Sequence, residues 1–98
     1  MASFRFSQLA EADLLNISAY TLRTWGQEQA SKYLEELEAC CQRLTLDPEL
    51  GSSCHEVRPG LRRVKQGKHL VFFRRDPDGI VISRILHERM LPGLHSLD

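Results

Sequence analysis

The feature that most constrains the fold is an apolar stripe in the middle of the chain. Its members recur at the helical spacing i, i+3, i+4, i+7, i+11 and i+14, as Ala30, Tyr33, Leu34, Leu37, Cys41 and Leu44. A stripe with this period follows one face of an α-helix and must be buried against another element. Pro48 cannot continue a helix and disfavours helical geometry at the preceding residue, so we expect the helix to end just before it.

A further helix is predicted immediately upstream. Ser7 is suited to be its N-cap, and Asp13 lies near the positive end of its dipole. Leu14 and Ile17 share one face with Thr21, and Gly26 is a natural stop for the helix. Two helices that meet at a glycine are expected to form an antiparallel hairpin.

From about residue 60 the apolar period changes to two, which is typical of β-strands. Three strands are predicted, with the sequences LRRVKQ, KHLVFFRR and GIVISRILH. Gln66-Gly67 and the Asp76–Gly79 segment separate them, and both have tight-turn chemistry, so the strands should form an antiparallel meander. The middle strand should be central because its apolar run occupies both faces. SFRFS, residues 3–7, indicates a first strand at an edge.

The element order β-α-α-β-β-β predicts a single α+β domain over residues 1–98. Its helical hairpin should pack on one face of a small, mainly antiparallel sheet. On the last strand, strict alternation would place Ile80, Ile82, Arg84 and Leu86 on one face and Val81, Ser83, Ile85 and His87 on the other. The pattern alone does not indicate which of these two sets faces outward.

The charge of the chain is zero overall and unevenly distributed. Residues 1–50 carry four cations against eight acids, whereas residues 51–98 carry nine cations against five acids. Residues 62–75 contain six cations and no acid. Such a patch either attracts a nucleic acid or an acidic protein by its positive charge, or is a solvated sheet face.

Neither a metal site nor a membrane span is predicted. The four histidines lack HxH or HxxxH spacing, and the three cysteines, Cys40, Cys41 and Cys54, lack redox or metal-site spacing. We therefore expect free thiols in a reduced cytosol. The longest strongly apolar run is Leu70–Phe73, far short of a membrane span. Cys54-His55 might serve a thiol hydrolase, but no third member of a triad is marked.

Several segments in order resemble one protein family. They are YTLRTWGQEQASKYLEEL, DPELG, RPGLRR, GKHLVFFRR and DGIVISRILHERM, and the resemblance runs from about Phe4 to Met90. These segments are similar to those of the ParE toxins, members of the RelE/ParE superfamily of type II toxin–antitoxin systems. The resemblance implies the same β-α-α-β-β-β fold.

The resemblance also implies a function and partners. ParE-like toxins trap DNA gyrase with cleaved DNA and block replication, and a ParD-like antitoxin neutralises them with a C-terminal helical segment. The chain is then expected to be a cytoplasmic bacterial toxin that needs no cofactor and has no catalytic residue. Gyrase and a ParD-like antitoxin are its expected partners. Operator DNA would be contacted only through the antitoxin, and no membrane is involved.

Two sets of site residues follow from this reading. Contacts with the target are predicted at Arg62, Arg63, Arg84, His87, Arg89 and Met90, where arginine forks suit carboxylate or phosphate partners. Contacts with the antitoxin are predicted at Trp25, Tyr33, Leu37 and Phe73.

Two alternatives remain open from the sequence. RelE-like relatives of the same fold cut messenger RNA on the ribosome, which requires groups that move protons and neutralise a phosphate. Arg84 and His87 could serve those roles, although both tyrosines, Tyr20 and Tyr33, lie in the helical half of the chain. The other alternative is an inactive toxin fold retained to bind its antitoxin and repress their promoter.

Overall fold

The computed structural model describes residues 3–89, which form two helices and a mixed five-stranded sheet. The strands lie in the order β1-β5-β4-β3-β2, with β1 parallel to β5 and every other pair antiparallel. In chain order the elements are β1 (Ser3–Phe6), α1 (Gln8–Trp25), α2 (Gln27–Leu46), β2 (Ser52–Ser53), β3 (Arg62–Gln66), β4 (His69–Asp76) and β5 (Gly79–His87).

The helical hairpin begins and turns where the sequence predicts. The Ser7 hydroxyl accepts a hydrogen bond from the Ala10 N–H, which satisfies one donor in the first turn of α1. Gly26 joins the helices with a φ of 89°, a conformation that costs a glycine little. The predicted α+β order, the edge strand and the central β4 are confirmed, and β2 is an additional two-residue strand.

The main core lies between the hairpin and one face of the sheet. The predicted stripe of α2 is its helical side, since Leu37, Cys41 and Leu44 are each at most 2% exposed. A smaller cluster on the opposite face contains Cys54, Leu61, Phe72 and Leu86. All three cysteines are free and buried, as expected of small apolar side chains.

A β-bulge in β5 overturns the predicted alternation of that strand. Phe72 pairs with Arg84 while Phe73 pairs with Ile82, so Ser83 is an extra residue. Downstream of the bulge the faces are exchanged: Ile85 joins the main core, whereas Leu86 lies in the smaller cluster on the other face. Within residues 3–89, no helix has the length and apolar character needed to cross a membrane.

Candidate functional site

A row of five aromatic and imidazole rings runs from the helical junction to the end of the sheet. Neighbouring rings meet edge to face, with centroids 6.3 Å apart for Tyr20–Trp25, 5.9 Å for Trp25–Tyr33, 5.5 Å for Tyr33–His69 and 5.6 Å for His69–His87. The two contacts between Tyr and Trp rings each contribute about 0.5–1.5 kcal/mol beyond area burial. This aromatic row connects both halves of the chain at one surface.

The fold explains how distant residues form this row. Tyr20 and Trp25 lie near the end of α1, while Tyr33 lies near the start of α2, so the hairpin brings them together. His69 opens β4 and His87 closes β5, and the two residues are paired in register. Tyr20 and Trp25 are 54% and 46% exposed, which leaves this end of the row open to a partner.

The Tyr33 hydroxyl fixes the junction between α2 and the sheet. It accepts a hydrogen bond of 3.2 Å from the Lys68 backbone N–H and is hydrogen-bonded to Nδ1 of His69. Gly67 allows this approach, because a Cβ there would lie 2.7 Å from the Tyr33 ring. Tyr33 was expected to be confined to the helical half, and the structure instead brings its phenol to the β3–β4 turn.

The protonation states of this pair follow from their burial. Desolvation raises the pKa of Tyr33 and, together with the nearby His87, lowers the pKa of His69. The phenol is therefore protonated and the imidazole neutral near pH 7. The hydroxyl oxygen accepts from Lys68, its proton can be donated to the Gln66 carbonyl at 3.5 Å or to Nδ1 of His69, and the tautomer of His69 sets the direction of the bond between the two rings.

A cleft of about 490 Å³ lies beside the aromatic row. We call it the aromatic cleft. Its walls combine rings, apolar side chains, two cations and one acid, Asp13, and include Ile17, Tyr20, Trp25, Lys68, His87 and Arg89. The Arg89 backbone N–H donates to Nδ1 of His87 at 3.2 Å. A surface of this composition suits an amphipathic or acidic partner.

Arg84 differs from its predicted role as an exposed contact with the target. Its Nε and Nη2 donate to the two carboxylate oxygens of Asp13 at 2.8 and 2.9 Å, and its side chain is only 13% exposed. A guanidinium held in this bidentate way is committed to an intramolecular ion pair. The structure assigns Arg84 to the attachment of α1 to β5.

The other predicted target residues occupy different environments. Arg62 donates to the backbone carbonyls of Glu49 and Gly51 at 2.6 and 3.2 Å, so it stabilises the loop that precedes β2. Arg63 and Arg89 are exposed, and His87 is half-buried at the end of the aromatic row. Met90 lies outside the described residues.

Two of the four residues predicted to contact the antitoxin are inaccessible. Leu37 is 2% exposed and Phe73 is 1% exposed, because both side chains fill the main core. The prediction was wrong for Phe73, whereas Leu37, although almost fully covered, also lines an apolar groove beside Phe4 and Phe6. Trp25 is accessible and Tyr33 is half-buried, so these two lie where a partner can reach them.

Sequence reasoning missed three components of this site: Asp13 as the partner of Arg84, His69 as the partner of Tyr33, and Lys68 in the aromatic cleft. The spacing i to i+18 between His69 and His87 carries no helical or strand signal, so only the strand register brings them together. Within residues 3–89 no group of histidine, cysteine and acidic side chains could hold a metal ion.

Comparison with known proteins tests the family resemblance directly. The family model described as the ParE toxin of the parDE type II toxin–antitoxin system matches residues 4–92. The chain belongs to the ParE toxin family. Toxin ParE1 of Mycobacterium tuberculosis is 38% identical over 88 residues, covering 89% of this chain and 90% of that protein. Toxin ParE1 of Caulobacter vibrioides is 37% identical over 95 residues, covering 97% and 98%.

The fold of this ParE-family chain also has a solved counterpart. A chain of the chromosomal ParDE toxin–antitoxin system from P. aeruginosa is 25% identical, with a TM-score of 0.73, covering 89% of this chain and 96% of that one. The sequence-based expectation of the ParE fold is thereby confirmed.

Proposed function

We propose that this ParE-family protein is a bacterial toxin that inhibits DNA gyrase in the cytoplasm and so blocks replication. The observation that carries the proposal is the family match over residues 4–92. The match between this chain and several relatives extends over nearly the full length of both proteins. These relatives, including Toxin ParE of Escherichia coli at 35% identity, bear the same toxin name. The protein would arrest growth by holding its target.

We further propose that inhibition occurs by binding, without a catalytic residue. A nuclease of the RelE kind would need a phosphate clamp and proton-transfer groups at one position. Arg84 is held by Asp13, and the Tyr33 hydroxyl is hydrogen-bonded to His69. Cys54 is no better as a nucleophile, because burial raises the pKa of its thiol. These contacts favour inhibition by binding over cleavage of RNA.

The contacts with gyrase are assigned to cations that remain accessible. Arg63 is exposed on β3 and Arg89 is exposed just after the end of β5, where its backbone N–H donates to Nδ1 of His87. Arginine is suited to bidentate contacts with carboxylates or phosphates. Arg62 and Arg84 contribute indirectly, since they stabilise the loop before β2 and the packing of α1.

A ParD-like antitoxin is the proposed inhibitor of this toxin. An apolar groove of about 270 Å³ runs between β1 and the two helices, lined by Phe4, Phe6, Leu14 and Leu34 among others. Together with the exposed Tyr20 and Trp25, it offers the surface that an amphipathic helix needs. Operator DNA would be reached through the antitoxin.

The decisive experiment measures supercoiling by gyrase and cleavage of messenger RNA in parallel. Purified toxin should inhibit supercoiling of relaxed plasmid by gyrase, and ribosome-bound messenger RNA should stay intact. Arg63→Ala or Arg89→Ala should each weaken inhibition roughly tenfold or more. Arg23→Ala, which removes an exposed cation from α1, is the matched control and should behave as the parent protein.

Two other results would replace the proposal. Cleavage of messenger RNA, lost in His87→Ala while gyrase runs unimpeded, would establish the ribosome-dependent nuclease. An antitoxin complex that forms normally, with no effect on gyrase or RNA, would establish an inactive toxin fold kept for autoregulation.

A further inference from the structure

The outward side of α1 carries apolar side chains that belong to neither of the two core clusters. Leu15 is 72% exposed and Leu22 is 54% exposed, although both are large apolar residues. Ala12 and Ala19 are also exposed and alternate with the leucines along the helix. We call these four residues the outer stripe.

The outer stripe lies on the side of α1 that faces away from the sheet. At about 100° per residue, its members fall nearly opposite Ala10, Ile17 and Thr21, which are the buried residues of the helix. The helix is therefore apolar on two opposite sides, whereas packing on a sheet requires only one. Residues 3–89 leave the second side largely exposed.

The order of large and small side chains in the outer stripe suits a second copy of the same helix. Its members are three, four and three residues apart, which is coiled-coil spacing, with alanine at one core position and leucine at the other. A two-fold axis that reverses the second helix would place Leu15 opposite Ala19, and Leu22 opposite Ala12, of the other copy. Each layer then combines one large and one small side chain, whereas parallel pairing would leave gaps between facing alanines.

The charges beside the outer stripe favour the same antiparallel orientation. Glu11 lies in the first turn of α1, and Arg23 lies in the last turn. Antiparallel pairing brings the acidic end of each helix to the basic end of the other and opposes the two helix dipoles. Parallel pairing would bring like ends together.

We propose that two copies of this protein associate through the outer stripe, with their α1 helices antiparallel about a two-fold axis. The occupant is a second copy because a two-fold interface requires a surface that is complementary to itself, and the outer stripe meets that requirement. An 18-residue helix is only about 27 Å long, so the contact area is limited. We therefore expect a reversible dimer with a Kd in roughly the micromolar range.

The outer stripe is distinct from the groove proposed for the antitoxin. That groove uses Leu14 and Ser18 of α1, which lie on the flank of the helix between the outer stripe and the core. The inference therefore goes beyond the proposed function, because it concerns toxin that is free of both gyrase and antitoxin.

Sedimentation velocity of the purified full-length toxin tests the association. Between about 1 and 200 µM, the average mass should rise from that of one chain towards that of two. Leu15→Glu places a charge against an apolar partner and should raise the Kd at least about tenfold. Leu46→Glu is the matched control, since Leu46 is 85% exposed on α2, and should associate as the parent protein does.

Three results of this measurement would overturn the proposal. The first is a parent protein that keeps the mass of one chain over the whole range. The second is a dimer that Leu15→Glu leaves unchanged, which would place the interface elsewhere. The third is an equal loss in Leu15→Glu and Leu46→Glu, which would indicate non-specific association.

Introduced cysteines test the orientation without placing a charge on the helix. The native thiols are buried, so surface thiols on α1 should be oxidised first. An equimolar mixture of Leu15→Cys and Ala19→Cys proteins, treated with diamide, should form disulfide-linked dimers faster than either protein alone. Faster linkage of Leu15→Cys to itself would indicate parallel helices and contradict the proposed pairing.

The alternative occupant of the outer stripe is an antitoxin helix. If Leu15→Glu weakens binding of the proposed ParD-like antitoxin while the free parent toxin remains a single chain, the outer stripe is an antitoxin contact and the self-association is refuted. A free toxin that dimerises through the outer stripe but leaves gyrase active would refute the proposed function and leave this inference standing.

Discussion

The carboxylate of Asp13 on α1 binds the guanidinium of Arg84 on β5, with Nε to Oδ2 at 2.8 Å and Nη2 to Oδ1 at 2.9 Å. Oδ2 also accepts the backbone N–H of Ile85 at 2.9 Å. The parallel pairing of β1 with β5 ends at Phe6 and Ile82, so Asp13 supplies an acceptor to β5 just beyond the end of its neighbour. The Asp13 side chain thus satisfies a backbone donor of β5 beyond the end of β1 and attaches α1 to the sheet.

Asp13→Ala should be strongly destabilising. It leaves the Arg84 guanidinium, whose side chain is 13% exposed, without its carboxylate, and leaves the Ile85 N–H without its acceptor. Removing one partner of a largely buried pair costs about 3 kcal/mol. Urea unfolding should show this loss, whereas Glu35→Ala, an exposed acid on α2, should change stability by less than about 0.5 kcal/mol.

Asp13→Asn distinguishes the two contributions of Asp13. It keeps an oxygen for the Ile85 N–H and removes the charge that Arg84 needs, so its loss should lie between those of Glu35→Ala and Asp13→Ala. Equal stability of Asp13→Ala and Glu35→Ala would mean that the pair contributes nothing net.

Gly79→Ala should break the contact between β1 and β5. A Cβ at Gly79 would lie 2.0 Å from the backbone oxygen of Ser3, and the φ of 147° is itself strained for other residues. Gly60→Ala is the control, since Gly60 also has a positive φ, of 83°, but its Cβ would meet nothing within 4 Å. Chemical denaturation should show at least about 2 kcal/mol more loss for Gly79→Ala.

Helices and core could be predicted from the sequence because a single buried face produces a clear period. The bulge at Ser83 could not, because apolar residues lie on both sides of it: Ile82 and Ile85 in the main core, and Leu86 in the other cluster. When both faces of a strand are buried, alternation carries no information about register. The strand β2 could not be predicted for a different reason, because its two residues are both exposed serines and carry no apolar period.

The site was harder to predict because it depends on that register. Counting back from the Asp76–Gly79 pair without a bulge would place His69 opposite Leu86; with the bulge it pairs with His87. Asp13 and Arg84 are 71 residues apart, and neither period links them. Their residue types were visible in the sequence, but their partners follow from tertiary packing.

The stability of the protein should decrease as the pH falls through the range in which histidines titrate. Burial and the nearby His87 lower the pKa of His69 below its ordinary 6.5, while Asp13 and Glu88 oppose the shift. The unfolded chain then binds the proton more readily, so the contribution of His69 is fully present above pH 6.5. It is lost as the pH falls towards the depressed folded pKa.

His69→Asn tests the assignment of this pH dependence. An asparagine amide can either donate to or accept from the Tyr33 hydroxyl in place of Nδ1, and it does not titrate. Urea unfolding at a series of pH values from about 7 to 5 should give a flatter curve for the variant than for the parent protein. Parallel curves would assign the dependence to another group.

The last prediction concerns Trp25 and rests on the proposed antitoxin. Trp25 is 46% exposed, and its ring contacts Tyr20 and Tyr33 at the open end of the aromatic row. Tryptophans in such positions are frequent hot spots, whose truncation costs 2 kcal/mol or more, which is about thirtyfold in affinity. Trp25→Ala should weaken binding to the proposed ParD-like antitoxin by at least about that factor.

Leu46→Ala is the matched control for this experiment. Leu46 is 85% exposed at the opposite end of α2, so its truncation also removes an apolar surface group without disturbing the core. Biolayer interferometry on both variants should show slower dissociation for Leu46→Ala than for Trp25→Ala. If the two variants dissociate at the same rate and also unfold at similar urea concentrations, the antitoxin does not contact the aromatic row. The apolar groove beside Phe4 and Phe6 is then its expected binding site.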